Sequence, residues 1–219
     1  MCRFQVNHTP LQVEAGTFLL KACLENGIYI PNLCFVKSMT SPPASCRLCF
    51  VAVEGESQPI TACTVPVEAG LRVQTDTLEV RRLQRSAFKL LMSTHHIVKN
   101  CPAREQCDLV KIAKFLGVGL KPDPLTHYVK EPAVDASHPH LVLHLDRCVL
   151  CGKCIYVCRR INEHSYLSFA KRGFDTFLTS YQDYDAAVLP CPSCQACIKI
   201  CPVRAITLKP EPAPPNKAT

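Results

Sequence analysis

The sequence predicts an α+β chain of three consecutive units, and three observations carry that prediction. Short alternating apolar segments fill residues 1–78. From Leu78 the apolar spacing changes to a helical period, through a segment bounded at 79–140. Over 141–209 one cysteine pattern occurs twice. A Pro-rich tail, 210–219, follows and is expected to be disordered.

In the first unit, Arg3 to Val6 and Leu11 to Val13 read as short strands, and Gly16 turns the chain. Thr17 is placed to cap a helix that buries Leu19, Leu20 and Ala22, runs through Cys23 to Asn26 and stops at Gly27. A loop holding Cys34 follows Pro31. Leu48 to Glu54, Ile60 to Thr64 and Leu71 to Thr75 read as further strands. This ββαβ-type series fits a small β-grasp domain.

In the second unit, Leu78, Leu83, Ala87, Leu90 and Leu91 recur near 3.6 residues and predict a buried helical stripe. The interleaved Arg81, Arg82, Arg85 and Lys89 are assigned to a solvated face. A second helix is expected from about Cys107 to Leu116, stopped by Gly117. Residues 118–140 hold four prolines and no clear period, so they read as an extended connector. In the third unit, Leu141 to Leu145 and Ala205 to Lys209 read as outer strands around the cysteine repeat.

The chain carries 16 cysteines in 219 residues, which points either to a disulfide framework or to metal ligation. Spacing favours metal. Cysteines three residues apart, such as Cys148 and Cys151, bridge each other poorly and share one centre well. Met1 to Pro10 has no signal-peptide pattern and no run of 18 apolar residues occurs, so neither a leader nor a membrane span is expected and the expected home is the reducing cytoplasm. The formal charge of +7 is weak support for nucleic-acid binding. Three four-thiolate clusters at roughly −2 each leave about +1.

The strongest motif is the repeat. Cys148, Cys151, Cys154 and Cys158 form C-x2-C-x2-C-x3-C, and Cys191, Cys194, Cys197 and Cys201 form it again, with Pro202 following. A cubane needs four thiolates around a compact core. A tight loop presents three, and in this motif the fourth cysteine of each run serves the other cluster. One [4Fe–4S] set is therefore Cys148, Cys151, Cys154 and Cys201, and the other is Cys191, Cys194, Cys197 and Cys158. Zinc would not need eight ligands in a doubled pattern. Ile155, Val157, Ile198 and Ile200 fall between ligands and are expected to shield the centres. The 32 residues between Cys158 and Cys191 exceed what a minimal two-cluster module needs and read as an insertion that docks a partner.

The second motif is Cys34, Cys46, Cys49 and Cys63, as C-x11-C-x2-C-x13-C. Its central pair and distant fourth ligand match the plant-type [2Fe–2S] spacing, with a longer first gap. Cys2 and Cys23 lack partners at useful spacing and read as small hydrophobes. His138, His140 and His144 alternate but have no fourth partner. They read as a loop entering an edge strand.

This series of motifs resembles the iron–sulfur (diaphorase) subunit of NAD-reducing [NiFe] hydrogenases. It is also similar to the N-terminal region of [FeFe] hydrogenases, the start of the large peripheral-arm subunit of complex I and some formate dehydrogenases. The resemblance covers about residues 1–209. It implies an N-terminal β-grasp [2Fe–2S] ferredoxin domain, a helical middle segment and a C-terminal two-cluster [4Fe–4S] ferredoxin-like domain. One departure stands out. The family's middle segment carries a further cluster on H-x3-C-x2-C-x5-C, whereas this chain reads THHIVKNCPAREQC. With Cys101 and Cys107 in the final gap, Val98 and Thr94 occupy ligand positions; with Cys101 as the first cysteine, the middle one is deleted. Either way one thiolate is missing. Even with His95 or His96 ligating, three protein ligands leave one iron open, so an additional cluster at His95/His96, Cys101 and Cys107 is expected to be absent.

No G-x-G-x-x-G follows a strand (Gly117 and Gly119 give only a fragment), and no P-loop, flavin site or nucleophile with a base is visible. No catalytic residue is assigned. The expected role is an electron-transfer subunit with one [2Fe–2S] and two [4Fe–4S] clusters. By resemblance it works between a flavoprotein NAD(H)/FMN subunit and a catalytic oxidoreductase subunit such as a hydrogenase or formate dehydrogenase. The alternatives are a free multi-cluster ferredoxin, disfavoured because such ferredoxins are usually acidic, and a redox-sensing regulator, which lacks any visible effector domain.

Overall fold

The computed structural model describes residues 1–95, 101–120, 128, 133–180 and 189–210. Its architecture is mixed helix and sheet. Strands β1 (Cys2–Val6), β2 (Thr9–Val13), β3 (Phe50–Val53), β4 (Ile60–Thr61) and β5 (Arg72–Gln74) form one sheet in the order β2-β1-β5-β3-β4. The hairpin β1–β2 is antiparallel, and β5 lies parallel to β1 with Val6 opposite Val73. Strict alternation in β1 sends Phe4 and Val6 inward, where they meet helix α1 (Leu19–Glu25) through Leu19, Leu20, Ala22 and Cys23. Each such leucine contributes roughly 1.5–3 kcal/mol on burial. The cap differs from expectation. Phe18, not Thr17, holds the N-cap position, with no side-chain cap, because Leu19 N instead donates to Val65 O at 2.8 Å. Three of the expected strands are also shorter, with Leu48 to Glu54 reduced to Phe50–Val53 and Leu71 to Thr75 to Arg72–Gln74. Ile60 to Thr64 pairs only over Ile60–Thr61, because Ala62–Thr64 turns into a 3₁₀ helix that carries Cys63.

Helix α2 (Leu78–Ser93) begins on Thr77, whose hydroxyl accepts from Val80 N at 3.1 Å. Its buried stripe is Val80, Gln84, Ala87, Phe88 and Met92, not the leucines picked out by spacing: Leu78 is 93% exposed and Leu90 62%. The rotation is explained by Gln84, which donates to Phe50 O at 3.0 Å and ties α2 to β3. Arg82, Arg85 and Lys89 are exposed as expected and Arg81 is half-buried, and two of these arginines also hold helix α3 (Asp108–Leu116). Arg85 Nε donates to Leu116 O at 2.9 Å, and the Arg81 guanidinium lies 4.4 Å from the Phe115 ring. Gly117, at φ +64°, ends α3 as expected.

The segment read as an extended connector contains ordered structure at its end. Val134–Asp135 (β6) pairs with β7 (Leu141–His144), which also pairs with the last strand, β10 (Ile206–Leu208). The expected outer strands at 141–145 and 205–209 are therefore neighbours, with β6 outside them in the order β10-β7-β6. Between them lie helix α4 (Lys153–Asn162), a hairpin of β8 (Leu167–Ala170) and β9 (Phe177–Ser180), and two short helices, α5 (Cys191–Cys194) and α6 (Ala196–Ile200). The hairpin occupies the long gap between Cys158 and Cys191. The expected tail falls outside the described residues except for Pro210.

Candidate metal centres

All sixteen cysteines are free thiols. Twelve of them fall into three groups in space. In the first, Cys34 leaves the loop after α1, Cys46 and Cys49 precede β3, and Cys63 sits in the 3₁₀ turn after β4. All four are buried. They approach as two pairs. Cys34 Sγ and Cys46 Sγ are 3.4 Å apart, and Cys49 is hydrogen-bonded to Cys63. Within each pair one thiol is lowered and one raised. The Cys46 hydrogen bond pulls Cys34 down to about 5, while that bond and burial push Cys46 up. The Cys49 hydrogen bond pulls Cys63 down, while Cys49 is pushed up. Two sulfur pairs side by side suit two tetrahedral irons with two thiolates each.

The second group is Cys148, Cys151, Cys154 and Cys201. These four line one enclosed cavity together with Val203, Ile206 and Leu178. Burial pushes the Cys151 thiol up to about 12, and negative charge at Cys201 and Cys148 pushes the same way. Cys154 is likewise raised by burial, with Cys151, Cys148 and Cys201 adding repulsion. The third group is Cys158, Cys191, Cys194 and Cys197. Burial raises Cys197 to about 12 and Cys191 to about 11, and in both cases Cys158 and Cys194 add to the effect. The fourth cysteine of each run therefore lies beside the first three of the other run. Packing brings this about, since α4, which carries Cys154 and Cys158, lies against α6, which carries Cys197.

Donor chemistry decides what such groups can hold. Buried thiols that repel one another when ionised need a positive core between them before they become ligands together. Among the described residues no three His, Cys, Asp or Glu side chains converge on one metal ion. Each ligand loop also bends through a left-handed residue: Arg47 between Cys46 and Cys49, Leu150 before Cys151, and Gln195 after Cys194. That conformation costs a non-glycine residue of order 1–3 kcal/mol and clusters at sites that use it.

Several groups donate to the sulfurs. Ala205 N lies 3.2 Å from Cys201 Sγ. Cys158 Sγ receives Tyr166 N at 3.4 Å and Asn162 Nδ2 at 3.7 Å. His138 Nε2 lies 3.8 Å from Cys191 Sγ. Burial lowers the His138 imidazole to about 4. The histidine reading based on sequence missed this contact, because 53 residues separate the two side chains. Ile155, Val157 and Ile198 pack half-buried against the third hydrophobic cluster, in the places assigned to shielding groups.

The middle segment differs from these groups. Cys107 is buried among Leu109, Ile112, Phe88 and Val203, and burial is the main cause of its raised pKa, with Cys101 as a weaker electrostatic neighbour. His95 is buried, and His96 lies outside the described residues. The second cluster continues from Cys34 and Cys46 through Phe88, Met92, Leu109 and Leu116 to Val203, with Cys148, Cys151 and Cys201 on its flank. It is an apolar seam joining the first thiol group to the second.

Residues 1–78 match the model of the 2Fe-2S iron-sulfur cluster binding domain. The N-terminal unit is a 2Fe-2S binding domain. The whole chain is 28% identical over 214 residues to the NADP-reducing hydrogenase subunit HndD of Solidesulfovibrio fructosivorans, covering 94% of this chain and 36% of that protein. It is 27% identical over 212 residues to an NADH-quinone oxidoreductase subunit of Rhizobium meliloti, covering 94% of this chain and 24% of the relative. A third relative, the NADPH-Fe(3+) oxidoreductase subunit alpha of Geobacter sulfurreducens, is 28% identical over 211 residues. The chain thus spans about a quarter to a third of the length of these curated relatives. Among solved structures it is similar to a chain of an NAD+-reducing [NiFe]-hydrogenase crystallised in the H2-reduced state. The TM-score is 0.81 at 27% identity, and the match covers 96% of this chain and 88% of that one. The resemblance to iron–sulfur subunits of NAD(P)-linked hydrogenases and of complex I-type oxidoreductases extends over almost the full chain. Among the described residues no helix is long and apolar enough to cross a membrane.

Proposed function

We propose that this chain is an electron-transfer subunit that relays electrons between an NAD(H)/FMN flavoprotein subunit and a catalytic oxidoreductase subunit in the cytoplasm. The partners are of the kind named in the relatives: an NAD(P)-linked hydrogenase or a related reductase. Cys34 and Cys46 hold one iron of a [2Fe–2S] cluster, and Cys49 and Cys63 hold the other. Cys148, Cys151, Cys154 and Cys201 hold one [4Fe–4S] cluster. Cys158, Cys191, Cys194 and Cys197 hold the second. The observation that carries this reading is the separation of twelve thiols into three groups, one buried and two partly buried, with the latter two interleaved from a repeated motif.

When bound, such clusters accept and release single electrons. The chain's own residues do the rest. The paired and grouped thiols bind, and the left-handed loop residues aim them. Main-chain N–H groups such as Ala205 and Tyr166 steady the sulfurs. The apolar seam through Phe88, Met92 and Leu109 packs between the first and second groups. The middle segment is read as structural: its thiol at Cys107 is packed in that seam, and no fourth ligand completes a centre there. The hairpin β8–β9 is read as a surface for a partner.

Iron and acid-labile sulfide per chain, measured on anaerobically purified protein with EPR of the reduced sample, test this reading. About ten irons and three paramagnetic centres are expected. About fourteen irons would restore a cluster to the middle segment. Bound zinc in place of iron would overturn the reading.

A further inference from the structure

The turn before β7 carries a histidine that no ligand motif includes. His138 is only 2% exposed. Its Nδ1 accepts two main-chain N–H groups, from His140 at 3.0 Å and Leu141 at 3.1 Å. A ring nitrogen that accepts carries no proton, so the proton of the neutral ring sits on Nε2. That nitrogen is 3.8 Å from Cys191 Sγ, within reach of an N–H···S contact. The turn is held on both sides, since β7 pairs with β6 and with β10. The ring therefore has one tautomer and one orientation, and its remaining donor faces a sulfur.

At the group of Cys158, Cys191, Cys194 and Cys197, the main-chain N–H of Tyr166 is joined by two side chains, Asn162 at Cys158 and His138 at Cys191. A hydrogen bond to a ligating thiolate draws off negative charge. It favours the reduced, more negative state and raises the potential.

We propose that His138 donates its Nε2–H to the Cys191 thiolate and thereby raises the potential of the centre held by Cys158, Cys191, Cys194 and Cys197. The inference rests on the reading that those four cysteines hold a cluster. His138 touches a ligand, not the reacting atoms, so it is a tuning and positioning residue.

The test is a redox titration of the full-length holo-protein followed by EPR, with two variants. His138→Asn keeps a short side-chain oxygen able to accept from the turn and removes the Nε2 donor. His138→Gln places an amide N–H at a similar reach. In H138N, the reduced-to-oxidised ratio of that one centre at fixed potential should fall about tenfold, or about 59 mV for one electron. H138Q should recover most of the shift, and the other two centres should not move. A fully iron-loaded H138N with an unshifted centre overturns the proposal, as does an equal shift of all three. A second measurement does not depend on the variant's folding. In wild-type protein with 15N-labelled histidine imidazole, the reduced centre should show a coupled histidine nitrogen, and its absence overturns the proposal. Wild-type protein with only one cubane would instead overturn the four-cysteine reading itself, and the iron count distinguishes that case.

Discussion

Around α1, the core of the N-terminal unit is built mainly from Phe4, Val6, Leu19, Leu20, Val51 and Val73, and cysteines are three of the fifteen buried residues described there. Around β7 and β10, four of the eleven buried residues described are the cysteines Cys154, Cys158, Cys191 and Cys197. The first region is a conventional sheet-and-helix core that positions thiols. In the second, the thiols are a large part of the core. Buried thiols that repel when ionised make poor core material alone. With the clusters proposed above in place, the C-terminal module would therefore depend on bound metal for folding free energy much more than the N-terminal sheet does.

The largest expected effect comes from removing iron with a chelator under reducing conditions. Amide exchange should then rise throughout 141–180 and 189–208, while β1, β3 and β5 keep most of their protection. Equal loss in both regions would break the contrast. Next in size are the two fourth-position cysteines. Cys201→Ala should remove or convert the centre served by Cys148, Cys151 and Cys154, and Cys158→Ala the one served by Cys191, Cys194 and Cys197. EPR of each variant reads this directly. Loss of the sequence-adjacent centre in each case would refute the crossed pairing. Leu20→Ala cuts into the conventional core and should cost about 2–5 kcal/mol in chemical denaturation without lowering iron in the two cubanes. Gly117→Ala should cost about 1 kcal/mol, because the residue sits at φ +64° while the added methyl meets only Arg85, at an ordinary 3.9 Å. Cys107→Ser should leave the iron count unchanged, since a buried packing thiol contributes no ligand.

The grouping of the cysteines in space was legible in the sequence because spacing encodes it: a doubled C-x2-C-x2-C-x3-C has few other uses. The β1–β2 hairpin, α1 and the Gly117 stop were legible from alternation and from one glycine. The face of α2 was not. Leu78, Leu90 and Leu91 satisfy the helical period, but a partner's hydrogen bond decides which stripe is buried, and Gln84 to Phe50 O is a tertiary contact. The solvated face of Arg82, Arg85 and Lys89 was legible, but the contacts of Arg81 and Arg85 to α3 were not, because that helix lies about 30 residues further on. His138 was hidden by its surroundings of prolines and by a sulfur 53 residues away. Local periodicity reports an element's own preferences and cannot report the groups that reach it from elsewhere.

The seam from Cys34 to Cys201 has a consequence for charge as well as for packing. Its inner walls are Leu33, Leu48, Phe88, Met92 and Leu109, all essentially without solvent exposure, while an open cavity of about 560 Å³, lined by Cys46 and Cys148 among others, reaches both thiol groups from outside. Charge at one end is therefore felt at the other through an apolar side and a wet side at once, and only the wet side is screened by salt. If the proposed clusters occupy the two ends, an electron resting at one makes the arrival of a second at the other less favourable, and raising the ionic strength of the buffer should weaken that opposition without abolishing it.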